Sequence, residues 1–394
     1  MLSSKRGLAL IVTHVDPTTD IGGAEKFVKT LMKVYSSCNL LPILAATTKS
    51  MKYYIMKIDT GYILAMPSIL MGFVGLISLS VRALRFVLYL IKSITILHVV
   101  YCETPIELLI ALVAKLLRKR IIVSPLAFIA WLFHHNKLVR LFAFLTTSIK
   151  FIITRIADVA HVASPYDKRY VEKVNKNVYL VPHGIEPPPE HIECPEECQQ
   201  KLRGKIVIGF LGRFTEAKGA MMLLETLYLL IAKHGINAHL LIIGSRHIAL
   251  QSLLKYGKIN PDRYIVVKNH ITITGYVNEQ RKYALIKCCD IGVIPSLSEP
   301  IEAFSYALSE FNASGLFVIA SAVGALKTRL MASSGILIKR CKAEEISRAI
   351  NMMITKKLLY KNKEVKKLPD TITIIEEHQL WKTLLLNLLL NKPR

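Results

Sequence analysis

Four charged residues in the second half of the chain carry the first chemical signal. Arg213 and Lys218 flank a turn in "GFLGRFTEAKG", after an apolar run and just before the helical stretch "AMMLLETLYLL". A helix N-terminus gathers free N–H groups and partial positive charge, so two cations beside one make a phosphate site. Glu302 and Glu310 stand eight positions apart in "IEAFSYALSE". Carboxylates accept hydrogen bonds from paired hydroxyls, as on a sugar or ribose ring. The same residues also have ordinary readings. One is a basic pair expected in a basic chain. The other is two helix-surface charges, with Glu302 favouring the helix N-terminus.

The acid pair lies in an unusual window. From Cys288 to Leu326 there is no Lys or Arg, although Asp290, Glu299, Glu302 and Glu310 are all present. Average composition would place roughly five basic residues there. Their absence leads us to expect two carboxylates free of salt bridges and open to hydroxyls.

These loops need elements to position them. "LALIVTHV", "LPILAAT", "ILHVVYC", "RIIVSPLA", "VAHVASP" and "VYLVPHG" read as buried parallel strands separated by helical stretches. "HGIEPPPEHIECPEECQQ" then turns to Pro and Glu, which reads as a linker. The pattern restarts with "KIVIGFLGRF", "AHLLIIGS", "ITITGYV", "IGVIPSL" and "LFVIASAVG". The expectation is an α/β chain of two Rossmann-like, doubly wound domains facing across a cleft, with ligands at the carboxyl ends of the strands. The N-terminal domain covers 1–183, the linker 184–200 and the C-terminal domain 201–375. A last helix over 376–394, around "HQLWKTLLLNLLL", is too apolar to stand free and packs back on the first domain.

Composition narrows the partners. The 52 Lys and Arg against 28 Asp and Glu give +24, which suits a nucleic acid, an anionic membrane surface or a phosphorylated substrate. Many Lys and Ile with few Gln also fit a heat-adapted, solvated surface. The seven cysteines form no regular framework and no leader precedes the first strand, which reads as an intracellular, reducing compartment. His191, Cys194 and Cys198 could be three zinc ligands, but no fourth stands nearby and a plain loop is the simpler reading.

Thr60 to Val81 carries no charge and is long enough to span a membrane, though Gly61, Pro67, Gly72 and Gly75 interrupt it. After it, Ser78, Arg82, Arg85, Tyr89, Lys92 and Ser93 fall on one helical face. Arg140, Thr147, Lys150 and Thr154 do so again. Met71 to Arg155 holds eleven basic and two acidic residues. Such helices either lie at an anionic membrane surface or pack on a sheet with solvated charges.

Together these motifs resemble the retaining GT-B glycosyltransferases of glycosyltransferase family 4. Gly212, Arg213, Lys218 and Gly219 fit that family's first motif. Pro295, Ser296, Glu302, Glu310 and Gly315, followed by "LFVIASAVGAL", fit its second. "VTHVDPTTDIGGAEKFVKTLM" resembles the opening strand and Gly-Gly loop. The resemblance implies transfer of a sugar from a nucleotide-diphosphate-sugar donor, with retention, to a glycan, lipid-linked or other hydroxyl acceptor. Arg213 and Lys218 would neutralise the departing diphosphate, Glu302 would contact the transferred sugar, and Glu310 the ribose. Backbone N–H groups around Phe304, Ser305, Tyr306 and Ala307 would hold phosphate and sugar. Gly22 and Gly23 would let the backbone approach the diphosphate.

No Asp-any-Asp clamp occurs, so protein cations are expected to act without a metal, and the nucleotide-sugar is a co-substrate with no further cofactor. The sequence departs from the family at Ala303 and Ser305, where glycines are usual, and at Leu126, where many members carry a His. His183 replaces a common Asn. The expected location is cytoplasmic, with the protein peripheral on the inner membrane face. The alternatives are an inactive transferase-like scaffold and a basic nucleic-acid-binding protein.

Overall fold

The computed structural model describes residues 7–14, 22–48, 54–67, 89–128, 137–246, 250–251, 254, 260–297, 302–331, 334–339, 341–355 and 368–390. It divides into two compact units. One is Met1–His183 with Ile375–Arg394, and the other is Gly184–Ile374.

The first unit is built on an eight-stranded sheet. Its strands are β1 (Gly7–Thr13), β2 (Leu40–Thr48), β3 (Tyr54–Ile58), β4 (Gly61–Pro67), β5 (Ile96–Val100), β6 (Arg120–Ser124), β7 (Val159–Val162) and β8 (Val178–Leu180), in the order β3-β4-β2-β1-β5-β6-β7-β8. β1 pairs in parallel with both β2 and β5, so the order reverses there and the unit is doubly wound. Its central place explains why "GLALIVT" is apolar from Leu8 to Val12. A strand covered on both faces has no solvent side to mark with polar residues.

Helices α1 (Gly23–Ser37), α2 (Pro105–Leu116), α3 (Lys137–Ile156) and α4 (Pro165–Val171) follow β1, β5, β6 and β7. Local chemistry sets their starts. Thr104 and Glu107 form a reciprocal capping box ahead of Pro105, and Ser164 caps α4 ahead of Pro165. The C-terminal helix Ile374–Leu390 puts Trp381, Leu384, Leu385 and Leu388 into the core that Phe27, Leu31 and Tyr35 of α1 also fill.

One part of this sheet differs from the reading of alternating strands and helices. β3 and β4 form an antiparallel hairpin, Tyr54 opposite Ala65 and Ile58 opposite Gly61. The charge-free run from Thr60 therefore begins as a paired strand up to Pro67, and its remainder lies outside the described residues. No helix among the described residues is long and apolar enough to cross a membrane.

The second unit has a six-stranded parallel sheet, β11-β10-β9-β12-β13-β14. These strands are β9 (Ile206–Leu211), β10 (Ala238–Ile243), β11 (Ile271–Ile273), β12 (Ile291–Ile294), β13 (Val318–Ser321) and β14 (Gly335–Ile338). Helices α5 (Glu196–Leu202), α6 (Ala220–Tyr228), α7 (Pro261–Val267), α8 (Glu279–Lys287), α9 (Tyr306–Ala313), α10 (Leu326–Arg329) and α11 (Ala343–Thr355) complete it. β9 and β12 are the central neighbours where the order reverses, so the loops after these two strands meet at one end of the sheet.

The Pro- and Glu-rich segment read as a linker is packed on this unit. Ile192, Cys194 and Cys198 lie against its core, and Cys194 is joined to Cys288 by a disulfide. The bond removes Cys194 from the zinc set considered with His191 and Cys198. It also departs from the reading of reduced thiols, since disulfides persist mainly in oxidising surroundings. Sequence spacing could not show it, because the two cysteines are 94 residues apart and are brought together only by the fold.

Candidate active site

The loop after β9 carries Arg213 and Lys218. Gly212 adopts φ 128° and Gly219 φ 79°. A Cβ on Gly219 would sit 2.0 Å from the carbonyl oxygen of Pro295, so only glycine lets the two loops touch. Leu297 N–H donates to the carbonyl of Ala217 at 3.0 Å, which fastens the loop after β12 to the loop after β9. Lys218 closes a short 3₁₀ turn, Glu216–Lys218, and its Nζ donates to Glu302 Oε1 at 2.6 Å. Ser296 Oγ donates to the same oxygen at 2.5 Å. Glu302 is buried, and its own carbonyl accepts from Ala325 N–H at 2.7 Å. Arg213 is exposed, and no contact joins it to this pair.

Glu310 lies inside α9, also buried, and Lys282 of α8 donates to its Oε1 at 2.6 Å. The expectation of free carboxylates therefore fails at both positions. The window contains no cation, but the fold brings one lysine to each acid from outside it. Burying a carboxylate without a partner costs several kcal/mol, and here Lys218 and Lys282 are the partners.

Between the two acids the chain makes a strained turn. Ser305, the N-cap of α9, has φ 68° and ψ 84°, the left-handed region where glycine is at ease. The guanidinium of Arg329 holds it there. Its Nη1 donates to the carbonyls of Phe304 and Ser305, its Nη2 donates to Ser309 Oγ at 2.8 Å, and it pairs with Asp370. It also covers the Phe304 ring at 3.8 Å. The backbone thus keeps a glycine-like path through a serine, which accounts for the departure at that position. It leaves the first N–H groups of α9, at Tyr306 and Ala307, at a helix start with no side-chain cap.

Gly22 and Gly23 begin α1 in the first unit. Gly22 is an extended N-cap, φ −118° and ψ −176°, and makes no side-chain cap. A Cβ there would meet the flexible end of Glu25 at 2.5 Å.

The first unit has a polar cluster that sequence reading missed. It lies at the carboxyl ends of β1, β5 and β6, beside the switch point of the sheet. Lys150 of α3 is buried and donates to Glu103 Oε1 at 2.8 Å and to the carbonyls of Leu126 and Ala127. His14 stands 3.6 Å from Glu107 Oε1 and 3.9 Å from Glu103 Oε2. Burial opposes charge on His14, yet the neighbouring carboxylates of Glu107 and Glu103 outweigh it and raise the imidazole pKa. Burial likewise lifts the Asp167 carboxyl to about 6. Tyr101, Cys102 and Ala127 all take positive φ around this cluster. Strained backbone of this kind gathers at functional sites. The imidazole and Glu103 are partly exposed, so they can exchange hydrogen bonds with a hydroxyl. Leu126, where the family usually has a His, supplies only its carbonyl.

Long-range pairing hid these residues, and Lys282 and Arg329 with them. Lys150 falls on the stripe of α3 read as a basic surface, whereas the structure buries it. The available signal was its position: a lysine one turn from Thr154 on a helix whose other faces are apolar.

Residues 205–356 match the Glycosyl transferases group 1 family. The structure is similar to sucrose-phosphate synthase from Thermosynechococcus elongatus, with 19% identity, TM-score 0.70, and 97% of this chain covering 100% of that one. It is also similar to HepE from Anabaena in complex with UDP, with 12% identity, TM-score 0.69, and coverage of 97% and 100%. The apo form of the lipopolysaccharide outer core galactosyltransferase WaaB gives 14% identity, TM-score 0.64, and coverage of 97% and 99%. Among curated proteins none matches the sequence. Two Rossmann-like units with these likenesses define a GT-B fold. These likenesses show the fold of GT-B glycosyltransferases, and the stretch that matches the glycosyl transferases group 1 model lies within the second unit.

Proposed function

We propose that the chain is a retaining hexosyltransferase that takes its sugar from a nucleoside-diphosphate donor and delivers it to a hydroxyl of a glycan or lipid-linked acceptor. The observation that carries this is the joined loop pair after β9 and β12. It sets Lys218, the buried Glu302 and the start of α9 around one sheet end. UDP is the first nucleotide to test, because HepE is a complex with UDP.

In this reading the diphosphate meets Arg213, Lys218 and the N–H groups of Tyr306 and Ala307, with Phe304 and Ser305 shaping the turn beneath it. As the bond from C1 to the phosphate oxygen breaks, the electron pair leaves on the diphosphate, and the fixed cations stabilise that charge without a metal. The acceptor oxygen forms the new bond to C1 on the same face, and its proton passes to the departing phosphate. Glu302 accepts from the transferred sugar's hydroxyls through the oxygen that Lys218 does not hold. Glu310 accepts from the ribose hydroxyls. His14 and Glu103 are the groups we assign to the acceptor hydroxyl. The site work takes place at a membrane face, with the protein peripheral to it.

The test is a thermal-shift screen against UDP, GDP, ADP and their sugars. A ligand bound only by the folded state stabilises it by mass action, by about 2.7 kcal/mol at a hundredfold excess over Kd, and so raises Tm. One nucleotide series should shift Tm, and the sugar form should be consumed when acceptors are added. No shift with any nucleotide would overturn the reading.

A further inference from the structure

Helix α3 is built with its polar residues inward. Lys150 and Thr154, two members of the stripe that the sequence suggests is solvated, are buried, while Phe144, Phe151 and Ile152 point out. Phe144 is 60% exposed. Helix α2, which packs beside α3, exposes Leu109, Leu112 and Leu116, the last at 83%. The two helices make successive crossovers between the parallel neighbours β5, β6 and β7, so right-handed connection puts both on one face of the sheet. Their outer sides form one surface of large apolar groups, and a surface of that kind marks an interaction site.

The charges beside it decide the partner. Lys115, Arg118 and Arg155 are exposed on the same two helices and the turn after α2. From Pro105 to Ile156 the one acidic residue is Glu107, which is buried, and Asp158 just beyond is held by Lys115 at 3.0 Å. A second copy of the chain docking here would bring cations against cations. An anionic bilayer would take the apolar groups into its headgroup boundary and pair its phosphates with the cations.

We propose that the outer face of α2 and α3 is a docking surface for an anionic lipid bilayer. The inference deepens the transferase reading by naming the membrane-facing side, yet it concerns residues apart from the donor site.

Flotation of the full chain with phosphatidylcholine vesicles, with and without phosphatidylglycerol, tests it in the absence of nucleotide. The chain should float with the anionic vesicles and not the neutral ones. Leu116→Glu combined with Phe151→Glu should cut the bound fraction by roughly tenfold or more. Arg118→Ala with Arg155→Ala should weaken binding to anionic vesicles and reduce its salt dependence. All four positions are exposed, so Tm and any nucleotide-induced shift should stay at the wild-type value. Either a wild-type chain that does not float or a double Glu variant that floats undiminished would overturn the proposal. So would a wild-type dimer that the Glu variant splits, because the face would then belong to a second copy. The nucleotide screen is read separately, so failure of the transferase reading and failure of this one are told apart.

Discussion

Lys218 Nζ lies 2.6 Å from Glu302 Oε1, joining the cation assigned to the diphosphate to the acid assigned to the sugar. The pair couples two roles that sequence reading had kept apart. Lys218 is partly exposed while Glu302 is buried, so the lysine can turn toward a diphosphate on one side while the acid stays fixed by Ser296. A bound donor would thus find a lysine already oriented and a carboxylate already desolvated, which is the preorganisation electrostatic catalysis requires.

The first prediction separates the three residues. Arg213→Ala, at an exposed position, should leave Tm unchanged and lower transfer by about a hundredfold or more. Glu302→Gln should abolish measurable transfer and leave the fold intact, since the amide still accepts from Lys218. Lys218→Met should do both kinds of harm. It removes the proposed phosphate contact and strands a buried carboxylate, for a stability loss of roughly 1–3 kcal/mol after allowing for the lysine's exposure. Urea unfolding beside initial rates gives both readouts. Full activity in Arg213→Ala or Glu302→Gln would sink the assignment.

The second prediction concerns the turn at Ser305. An L-residue in the left-handed region costs roughly 1–2 kcal/mol, and here Arg329 supplies the restraint. Ser305→Gly should raise stability by up to about 1 kcal/mol, offset in part by glycine's greater unfolded freedom. Arg329→Met should lower it by roughly 3–5 kcal/mol, because Asp370 loses its partner and two carbonyls lose a donor. A Ser305→Gly variant less stable than the parent would show that the turn is not strained.

Much of this was legible beforehand, and the exceptions share a cause. Strands such as "GLALIVT" and "IVIGFL" announced themselves because central parallel strands are apolar on both faces. Arg213, Lys218, Glu302 and Glu310 were found by type and spacing inside single loops. The hairpin β3–β4 was missed because its signal, Asp59-Thr60-Gly61, sits at the edge of a run read for its lack of charge. Lys282, Arg329, Lys150 and His14 were missed for a deeper reason. Each acts on a residue at least 20 positions away, and such a pairing exists only once the sheet has formed.

The third prediction is covalent. The Cys194–Cys288 bond closes a long loop within the second unit and ties the Pro- and Glu-rich segment to the end of α8. Cross-links of this kind typically contribute about 2–4 kcal/mol, chiefly by restricting the unfolded chain. Dithiothreitol should therefore lower Tm, and Cys194→Ser should lower it equally and remove the further effect of reductant. Peptide mapping without reduction should find the two cysteines in one fragment. Separate fragments from oxidised protein would refute the bond.

The fourth prediction follows from two histidines inside the first sheet. His98 Nε2 and His161 Nδ1 share Ser124 Oγ at 2.8 and 2.9 Å, and their outer nitrogens meet Tyr35 Oη and Val181 O. Burial holds the His98 pKa down to about 3, and burial with the nearby His183 holds that of His161 well below its usual value. Both are neutral in the fold, whereas in the unfolded chain both titrate near 6.5. The unfolded state therefore binds more protons as pH falls, so stability is complete above about pH 6.5 and drains between there and the folded-state values. Each histidine adds a slope of roughly 1.4 kcal/mol per pH unit below 6. Urea unfolding from pH 7.5 to 4.5 should show this steep loss. His98→Asn, though less stable at pH 7.5, should show a shallower slope, since one proton-binding site of the unfolded chain is gone. An unchanged slope in that variant would place the acid sensitivity elsewhere.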